Sequence, residues 1–427
     1  MDAKVTHRDE SGVTLQVRVE FGPSMLESEK RIQDAMNAIG CAATSEALGQ
    51  FDTDGDPISV GGIRMTAKGR FPKEYQTPYG PVVIERHMYQ PGGGGRTYCP
   101  LEDKARILGS ATPRFAMQLS HKYAEFSAGR VCEDLLVCHG RKIAKSFVQN
   151  TADMVAAVAL AKEEDWSYAF PKLDTTVQTV SVGLDGTSML MCDDGWREAM
   201  VGTIALFDKD GERLHTTYVS ATPEYGKETF LARLELEIER TKALFPRATT
   251  VGVADGALCN WEFLTRHTEN QVLDFYHASE YLTKVADAAF KGKARQSERT
   301  EWLDSACHRL KHNHTAPALL IKEMSAFRSK HIGDEGREVI NTAVTYFTNN
   351  KKRMFYADHV SRNLPIGSGV TEAACKVLVK QRLCSSGMRW KEIGAASVLS
   401  LRTLTYTTGR WDQFWKKVGQ YGYADAA

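Results

Sequence analysis

The order of strand-like and helix-like segments between residues 174 and 289 limits the folds that this chain can adopt. An apolar strand leads to a hairpin that turns at "DKDGE", and an amphipathic helix follows it. Two further strands come next, each followed by a helix. Strands that alternate with helices favour a sheet covered by helices on its faces. The sequence therefore predicts an α/β fold in which this region forms the first part of the core.

A polar helical segment interrupts that core. Residues 290–358 are rich in Lys, Arg and His and carry no strand pattern, so they are predicted to form an all-helical insertion. Residues 359–427 then return to the core, with a glycine-rich turn, a helix and a closing C-terminal helix.

A mixed α/β region is predicted for residues 1–110, before the core. Its expected elements are a hairpin within 1–20, a helix within 24–47, and two alternating strands near 62–70 and 80–90.

Residues 111–165 are predicted to be helical, with breaks at Gly129 and Gly140. The last two helices can be read as a helix-turn-helix that contacts DNA. A plain helical bundle with a solvated charged face is the alternative. The candidate DNA contacts in this region are Lys142, Lys145 and Gln149, with Ser146 beside them.

The composition argues against several classes of protein. The 427 residues have a formal net charge of +1, so any affinity for nucleic acid must come from local patches. The nine cysteines form no CxxC pair, which fits neither a structural zinc site nor a disulfide framework. No signal peptide and no apolar run of roughly 18 residues is present, which predicts a soluble intracellular protein without membrane contact.

Two of the predicted strands end with the same pair of residues, Asp-Gly. Asp185 stands in "LDGT" and Asp255 in "ADGA". Ligand sites gather at the carboxyl ends of strands in open α/β sheets, so neighbouring strands would bring the two carboxylates together. Such carboxylates repel each other unless a cation neutralises them, and oxygen ligands suit Mg²⁺ or Mn²⁺. Each Asp-Gly pair alone is equally typical of an ordinary turn.

Glu372 is a third candidate, at the start of the helix that follows "LPIGSG". With Gly369 as N-cap it would occupy the third helical position, where an acid stabilises the helix end. The alternative is a metal ligand beside a polyanion, because Lys376 and Lys380 follow at i+4 and i+8 on roughly the same face.

The motifs "GLDGT", "VADGA…NW", "LDFYHASEYL" and "GSGVTEAACK…KQR…SGMRW…GA" together resemble DDE transposases of the ISKra type of bacterial insertion sequence, relatives of the Mutator-like group. The resemblance covers residues 175–415 well and 111–160 more loosely. It implies an RNase H-like core with a helical insertion before the last acid. The spacings agree, with 255 − 185 = 70 residues between the aspartates and 372 − 255 = 117 before the glutamate.

The resemblance also implies roles for individual residues. Asp185, Asp255 and Glu372 would form the catalytic triad that holds two Mg²⁺ ions, with Mn²⁺ as a substitute. Asp274 and His277 would support the site, although a satisfied core histidine is an equal reading of His277. The implied DNA contacts at the end of the core are Lys376, Lys380, Arg382, Arg389 and Trp390, the last of which is also a candidate for core packing.

The implied function is transposition. The enzyme would bind terminal inverted repeats, cleave DNA strands and join 3′-hydroxyl ends to target DNA, as a homodimer or larger assembly in the bacterial cytosol. Two alternatives remain: an RNase H-like nuclease that never joins strands, and a domesticated DNA-binding protein without catalysis. Relatives often carry cysteine pairs in the stretch that matches residues 61–100, where this chain has only Cys99. A ribbon shape without zinc is therefore expected there.

Overall fold

The computed structural model describes residues 3–9, 11–224, 226–327 and 333–423. The strands are β1 (Lys4–Asp9), β2 (Gly12–Gln16), β3 (Ile58–Val60), β4 (Ile63–Gln76), β5 (Pro81–Pro91), β6 (Thr179–Met191), β7 (Gly195–Phe207), β8 (Arg213–Ala221), β9 (Thr249–Ala254) and β10 (Asn270–Leu273). The helices are α1 (Met25–Gly49), α2 (Pro100–Lys104), α3 (Pro113–Glu125), α4 (Ala128–His139), α5 (Lys145–Ala161), α6 (Glu228–Leu244), α7 (Leu258–His267), α8 (Phe275–Ala289), α9 (Gln296–His312), α10 (Ala316–Phe327), α11 (Asp334–Asn350), α12 (Tyr356–Ser361), α13 (Gly369–Ala374), α14 (Gln381–Leu383), α15 (Glu392–Tyr406) and α16 (Arg410–Tyr421).

The chain divides into two compact units. The first contains the described residues up to Tyr168, together with Ala396–Thr405 and the described residues from Arg410. The second contains Ala169–Ala395 and Tyr406–Gly409. The region 359–427, which the sequence assigned to the core, is therefore shared between the two units. None of the helices within the described ranges has the length and apolar character needed to cross a membrane.

The first unit has a small sheet and a set of helices. β1 and β2 form an antiparallel hairpin, and β3, β4 and β5 form an antiparallel sheet. The side chain of Ser24 caps α1 by accepting the N–H of Glu27, as expected for serine at this position. The predicted hairpin, helix and two alternating strands are confirmed. Cys99 is buried in an apolar cluster beneath β4 and β5.

The helical segment of the first unit contains three helices, as predicted, but its first break was placed wrongly. The chain bends before Ser127, whose hydroxyl accepts the N–H of Arg130, and Gly129 lies inside α4. Gly140 does end α4, in the left-handed conformation (φ +63°) that glycine adopts without strain. α5 begins only at Lys145, so the connection before it contains Lys142.

The second unit is built on a five-stranded mixed sheet with the order β10-β9-β6-β7-β8. β6, β7 and β8 are consecutive antiparallel strands, whereas β9 and β10 run parallel to β6. The turn between β7 and β8 lies at Asp208–Glu212, as predicted, and the side chain of Asp208 accepts the N–H groups of Asp210 and Glu212. The prediction of an α/β fold with a mixed sheet flanked by helices is confirmed.

β6 is longer than the sequence indicated. The strand was expected to end at Asp185, but it continues to Met191 and stays paired with β7 throughout. The residues beyond Asp185 still alternate, since Thr187, Met189 and Met191 are buried while Ser188 is exposed. This period of two is the pattern of a strand with one face in the core.

The predicted helical insertion contains α9, α10, α11 and α12, and no strand occurs in its described residues. Residues 328–332 of the insertion lie outside the described part of the chain. One apolar cluster includes Val180 of β6, Leu282 of α8 and Phe347 of α11. The insertion is therefore packed onto the same core as the sheet.

Candidate active site

Asp185 lies on β6, and Asp255 directly follows β9, the parallel strand that pairs with β6. β6 pairs with β9 from Thr179 opposite Thr249 to Gly183 opposite Val253, a constant difference of 70 residues. Asp185 and Asp255 differ by the same 70 and lie two residues beyond the last of these pairs. Side chains at equal register on parallel strands point to the same face of the sheet. The charge of Asp255 contributes to the raised pKa of Asp185, which is consistent with two carboxylates that lie near each other.

The two carboxylates influence each other. Burial raises the pKa of Asp185, and the nearby charges of Asp255 and Glu198 raise it further. The N–H of Gly186, 2.7 Å from Oδ1 of Asp185, and the thiol of Cys375 act in the opposite direction. A half-buried carboxylate that faces other carboxylates is a place where a cation is favoured.

The loop after β9 is fastened by the helical insertion. The hydroxyl of Tyr346, on α11, donates to the backbone carbonyl of Asp255 at 2.7 Å. Gly256 has φ +114°, and a Cβ there would lie 3.2 Å from the ring of Tyr346. Glycine is required for this close approach. The N–H of Ala257 donates to Oδ1 of Asp255 at 3.2 Å, and this hydrogen bond orients the Asp255 side chain.

α13 lies against β6 and β7 through a contact that only glycine permits. A Cβ on Gly183 would come within 2.1 Å of the Thr371 hydroxyl oxygen. The hydroxyls of Thr371 and Thr203 are hydrogen-bonded at 2.7 Å, and both residues are buried. These contacts hold the helix that carries Glu372 directly beside the strand that carries Asp185.

Glu372 is not the capping residue of a capping box. The N-cap of α13 is Ser368, not the predicted Gly369, and the Ser368 hydroxyl donates to Oε1 of Glu372 at 2.8 Å. The same Oε1 lies 3.8 Å from Nε2 of His277. The Glu372 side chain is half exposed, so it is free to turn from these two neighbours towards a ligand.

Asp274 joins three elements and is completely buried. It is the N-cap of α8, where Oδ1 accepts the N–H of His277 at 2.8 Å. Its Oδ2 accepts the N–H of Ser368, the N-cap of α13. Its own N–H donates to the carbonyl of Ala254, the last residue of β9, at 2.9 Å. The carboxylate of Asp274 thus connects the starts of two helices, and its backbone N–H connects them to the end of β9.

Sequence reasoning missed two residues of the site. The thiol of Cys375, one turn after Glu372, lies 3.8 Å from Oδ2 of Asp185. Glu198 of β7 lies across Gly186, where a Cβ would be 2.2 Å from its carboxyl carbon. A cross-strand neighbour can be found only once the register of β6 and β7 is known. Cys375 could have been noticed from its i+3 spacing to Glu372.

The helix after Glu372 contains a wider turn. Residues Cys375–Lys380 are π-helical, with backbone hydrogen bonds that span five residues instead of four. α13, this segment and α14 form one uninterrupted helical run, since the residues that join them are all in the right-handed helical conformation. Glu372, Lys376 and Lys380 are all exposed along this run.

The predicted DNA contacts differ in their exposure. The exposed ones are Lys142, Lys145, Gln149, Lys376, Lys380 and Arg389. Arg382 is only 4% exposed, and its guanidinium lies 5.2 Å from the centre of the Trp390 ring. Trp390 donates its indole N–H to the carbonyl of Leu383 at 2.8 Å and pairs with the end of β6. Because Arg382 and Trp390 pack against each other, we do not propose them as DNA contacts.

The carboxylates of the site are suitable ligands for divalent cations, although Glu372 is hydrogen-bonded to Ser368. Burial and the nearby charge of Asp255 raise the pKa of Asp185, and a bound cation would offset both effects. Within the described ranges, no three His, Cys, Asp or Glu side chains are grouped to hold an ion as they stand. Glu372 would join the aspartates by leaving the Ser368 hydroxyl.

No protein-family model matches this chain, and no curated protein is significantly similar to it.

Proposed function

We propose that this chain is a DNA transposase of the DDE type, which cleaves DNA strands and joins 3′-hydroxyl ends to target DNA. The observation that carries the proposal is the placement of Asp185 on β6 and of Asp255 directly after β9, the parallel strand that pairs with β6. Two further features support it. Glu372 lies on the helix packed beside Asp185, and the sheet order is compatible with an RNase H-like core.

Asp185, Asp255 and Glu372 would hold Mg²⁺ ions, which when bound stabilise charge on the attacking and leaving oxygens of a phosphoryl transfer. The chain's own residues prepare this site. Tyr346 fixes the loop after Asp255, and Asp274 fixes the turn before Glu372. The exposed cations on the run after Glu372 would contact DNA phosphates without reading sequence.

The proposal can be tested with a plasmid that carries the gene and its flanking DNA. Purified full-length protein is incubated with this plasmid in Mg²⁺, and strand cleavage and strand joining are measured separately. Removing one carboxylate with Asp185→Asn or Asp255→Asn is expected to slow both reactions by about 10²- to 10³-fold, since metal-held charge contributes several kcal/mol. The matched control is Asp193→Asn, because Asp193 is exposed in the turn after β6.

A second measurement does not depend on turnover. Mg²⁺ should raise the melting temperature of the wild type and of Asp193→Asn but not of Asp185→Asn, because only an intact site binds the ion. Cleavage without joining would support the nuclease alternative. DNA binding without cleavage in any metal would support the non-catalytic alternative. Joining that persists in Asp185→Asn would contradict the site assignment.

A further inference from the structure

A cavity of about 550 Å³ lies between α11 and the loop that follows Asp255. Its wall includes Gly256 and Leu258 on the loop side, Tyr281 of α8, and Arg353 of the insertion. This volume is within the range of ligand-binding pockets, roughly 300–1,000 Å³. The cavity therefore begins one residue from a candidate catalytic carboxylate.

The cavity is lined by one polar stripe of α11. Asn341, Thr345 and Asn349 are spaced four residues apart, are exposed and line the cavity. Their side chains make no hydrogen bond with other described residues. The buried residues of α11 are Gly336, Ile340, Ala343, Val344, Phe347 and Asn350, the last of which also lines the cavity. The stripe thus presents free amide and hydroxyl groups that can both donate and accept.

Arg353 is the only cation that lines this cavity among the described residues. Its guanidinium lies 4.5 Å from the centre of the buried Trp261 ring, and burial lowers its pKa. Within the described ranges it has neither an ion pair nor a hydrogen bond to an acceptor. A guanidinium that lies over an aromatic ring and has no acceptor of its own keeps its forked N–H groups for a ligand.

The charges of the cavity favour a neutral ligand over a phosphate. Arg353 is balanced by Glu338, which also lines the cavity, and the remaining polar groups are uncharged. Sites for phosphate are instead rich in cations or in backbone N–H groups at helix starts. Amides and a guanidinium plane are the groups that hydrogen-bond and stack with unpaired bases. A helix face that is merely solvated would not account for the cavity or for a half-buried arginine without an acceptor.

We propose that this cavity binds a single unstacked nucleobase of the DNA strand beside the reacting phosphate. The base would stack on Arg353, with its edge towards Asn341 and Asn349. This inference rests on the proposed function, because it assumes that DNA lies across Asp255. It adds a base-binding subsite carried by the helical insertion.

The test compares three labelled short duplexes: one fully paired, one with a single unpaired adenine, and one with an abasic residue at the same position. Dissociation constants are measured by fluorescence anisotropy with full-length protein in EDTA, where metal-dependent cleavage is absent. The wild type should bind the unpaired adenine about tenfold more tightly than the abasic duplex, the size of one stacked base. Arg353→Lys and Arg353→Met should both lose this difference, since neither has a plane.

The matched control is Arg337→Lys, because Arg337 is an exposed arginine of α11 that pairs with Asp334 and does not line the cavity. It should keep the tenfold preference. Asn341→Ala and Asn349→Ala should each reduce the preference a few-fold, and neither position carries buried packing. Circular dichroism of every variant separates lost binding from lost folding.

The outcomes separate the inference from the proposed function. Equal binding of the adenine and abasic duplexes by the wild type would overturn the inference, and so would full preference in Arg353→Lys, which would indicate a phosphate contact. Plasmid cleavage without base preference overturns the inference alone. Base preference without plasmid cleavage overturns the proposed function alone. Failure to bind any duplex overturns both.

Discussion

Replacing Asp274 by alanine should destabilise the second unit strongly. Asp274 is completely buried, and its two carboxylate oxygens accept the N–H groups of His277 and Ser368. In Asp274→Ala both donors lose their partner inside the protein. Each buried donor left unsatisfied costs about 1–3 kcal/mol, so we expect a loss of about 4 kcal/mol in the free energy of unfolding. For a unit of this size that corresponds to a fall of roughly 8–16 °C in melting temperature.

Asp274→Asn should lose about half as much. The amide keeps one acceptor oxygen, but its NH₂ group must face either the N–H of His277 or that of Ser368, and two donors cannot pair. The control is Asp287→Ala near the end of the same helix. Asp287 is exposed and pairs with Arg299, and a surface ion pair contributes at most about 1 kcal/mol.

The measurement is urea denaturation of the wild type and the three variants, followed by circular dichroism. The expected order of stability is wild type, then Asp287→Ala, Asp274→Asn and Asp274→Ala. The reasoning is refuted if Asp274→Ala is no less stable than Asp287→Ala, or if the asparagine variant is as stable as the wild type. In the first case the buried carboxylate would not be what joins the two helix starts.

Three further variants test other contacts of the same unit. Gly183→Ala should lower the free energy of unfolding, measured by urea denaturation, by about 1–3 kcal/mol, because its new Cβ would lie against Thr371 and push α13 outward. Tyr346→Phe should cost about 1 kcal/mol and slow strand cleavage, because the loop after Asp255 loses its hydrogen bond; equal cleavage rates would contradict this. Burial lowers the pKa of His359 in the folded protein below its usual 6.5. The stability that neutral His359 contributes is therefore fully present above pH 6.5 and is lost as the pH falls from there towards the folded-state pKa. His359→Gln should flatten this loss in urea midpoints measured from about pH 7 to about pH 5, and an unchanged slope would refute it.

The sequence predicted the elements of the second unit better than their ends. The hairpin at "DKDGE" and the alternating strands and helices have strong local sequence patterns, and the structure has these elements at the predicted positions. β6 was ended too early because Asp-Gly is typical of turns. In this fold Gly186 instead lies in the ladder opposite Met200, and Glu198 fills the space that a side chain would take.

Only the acidic residues of the candidate site could be predicted from the sequence, and the residues that contact them could not. Asp185 and Asp255 could be paired from the sequence because both follow apolar strands. The contact between Cys375 and Asp185 joins residues 190 apart in the chain, and no local pattern indicates it. Arg382 was taken for a surface cation from its charge alone, whereas cation–π packing on Trp390 buries it.

The uninterrupted helical run from Gly369 to Leu383 has a mechanical consequence. Its wide turn holds one residue more than an α-helical turn, and such a surplus can pass along a helix without breaking it. In the proposed function, this continuous run would couple a DNA contact at Lys380 to the position of Glu372.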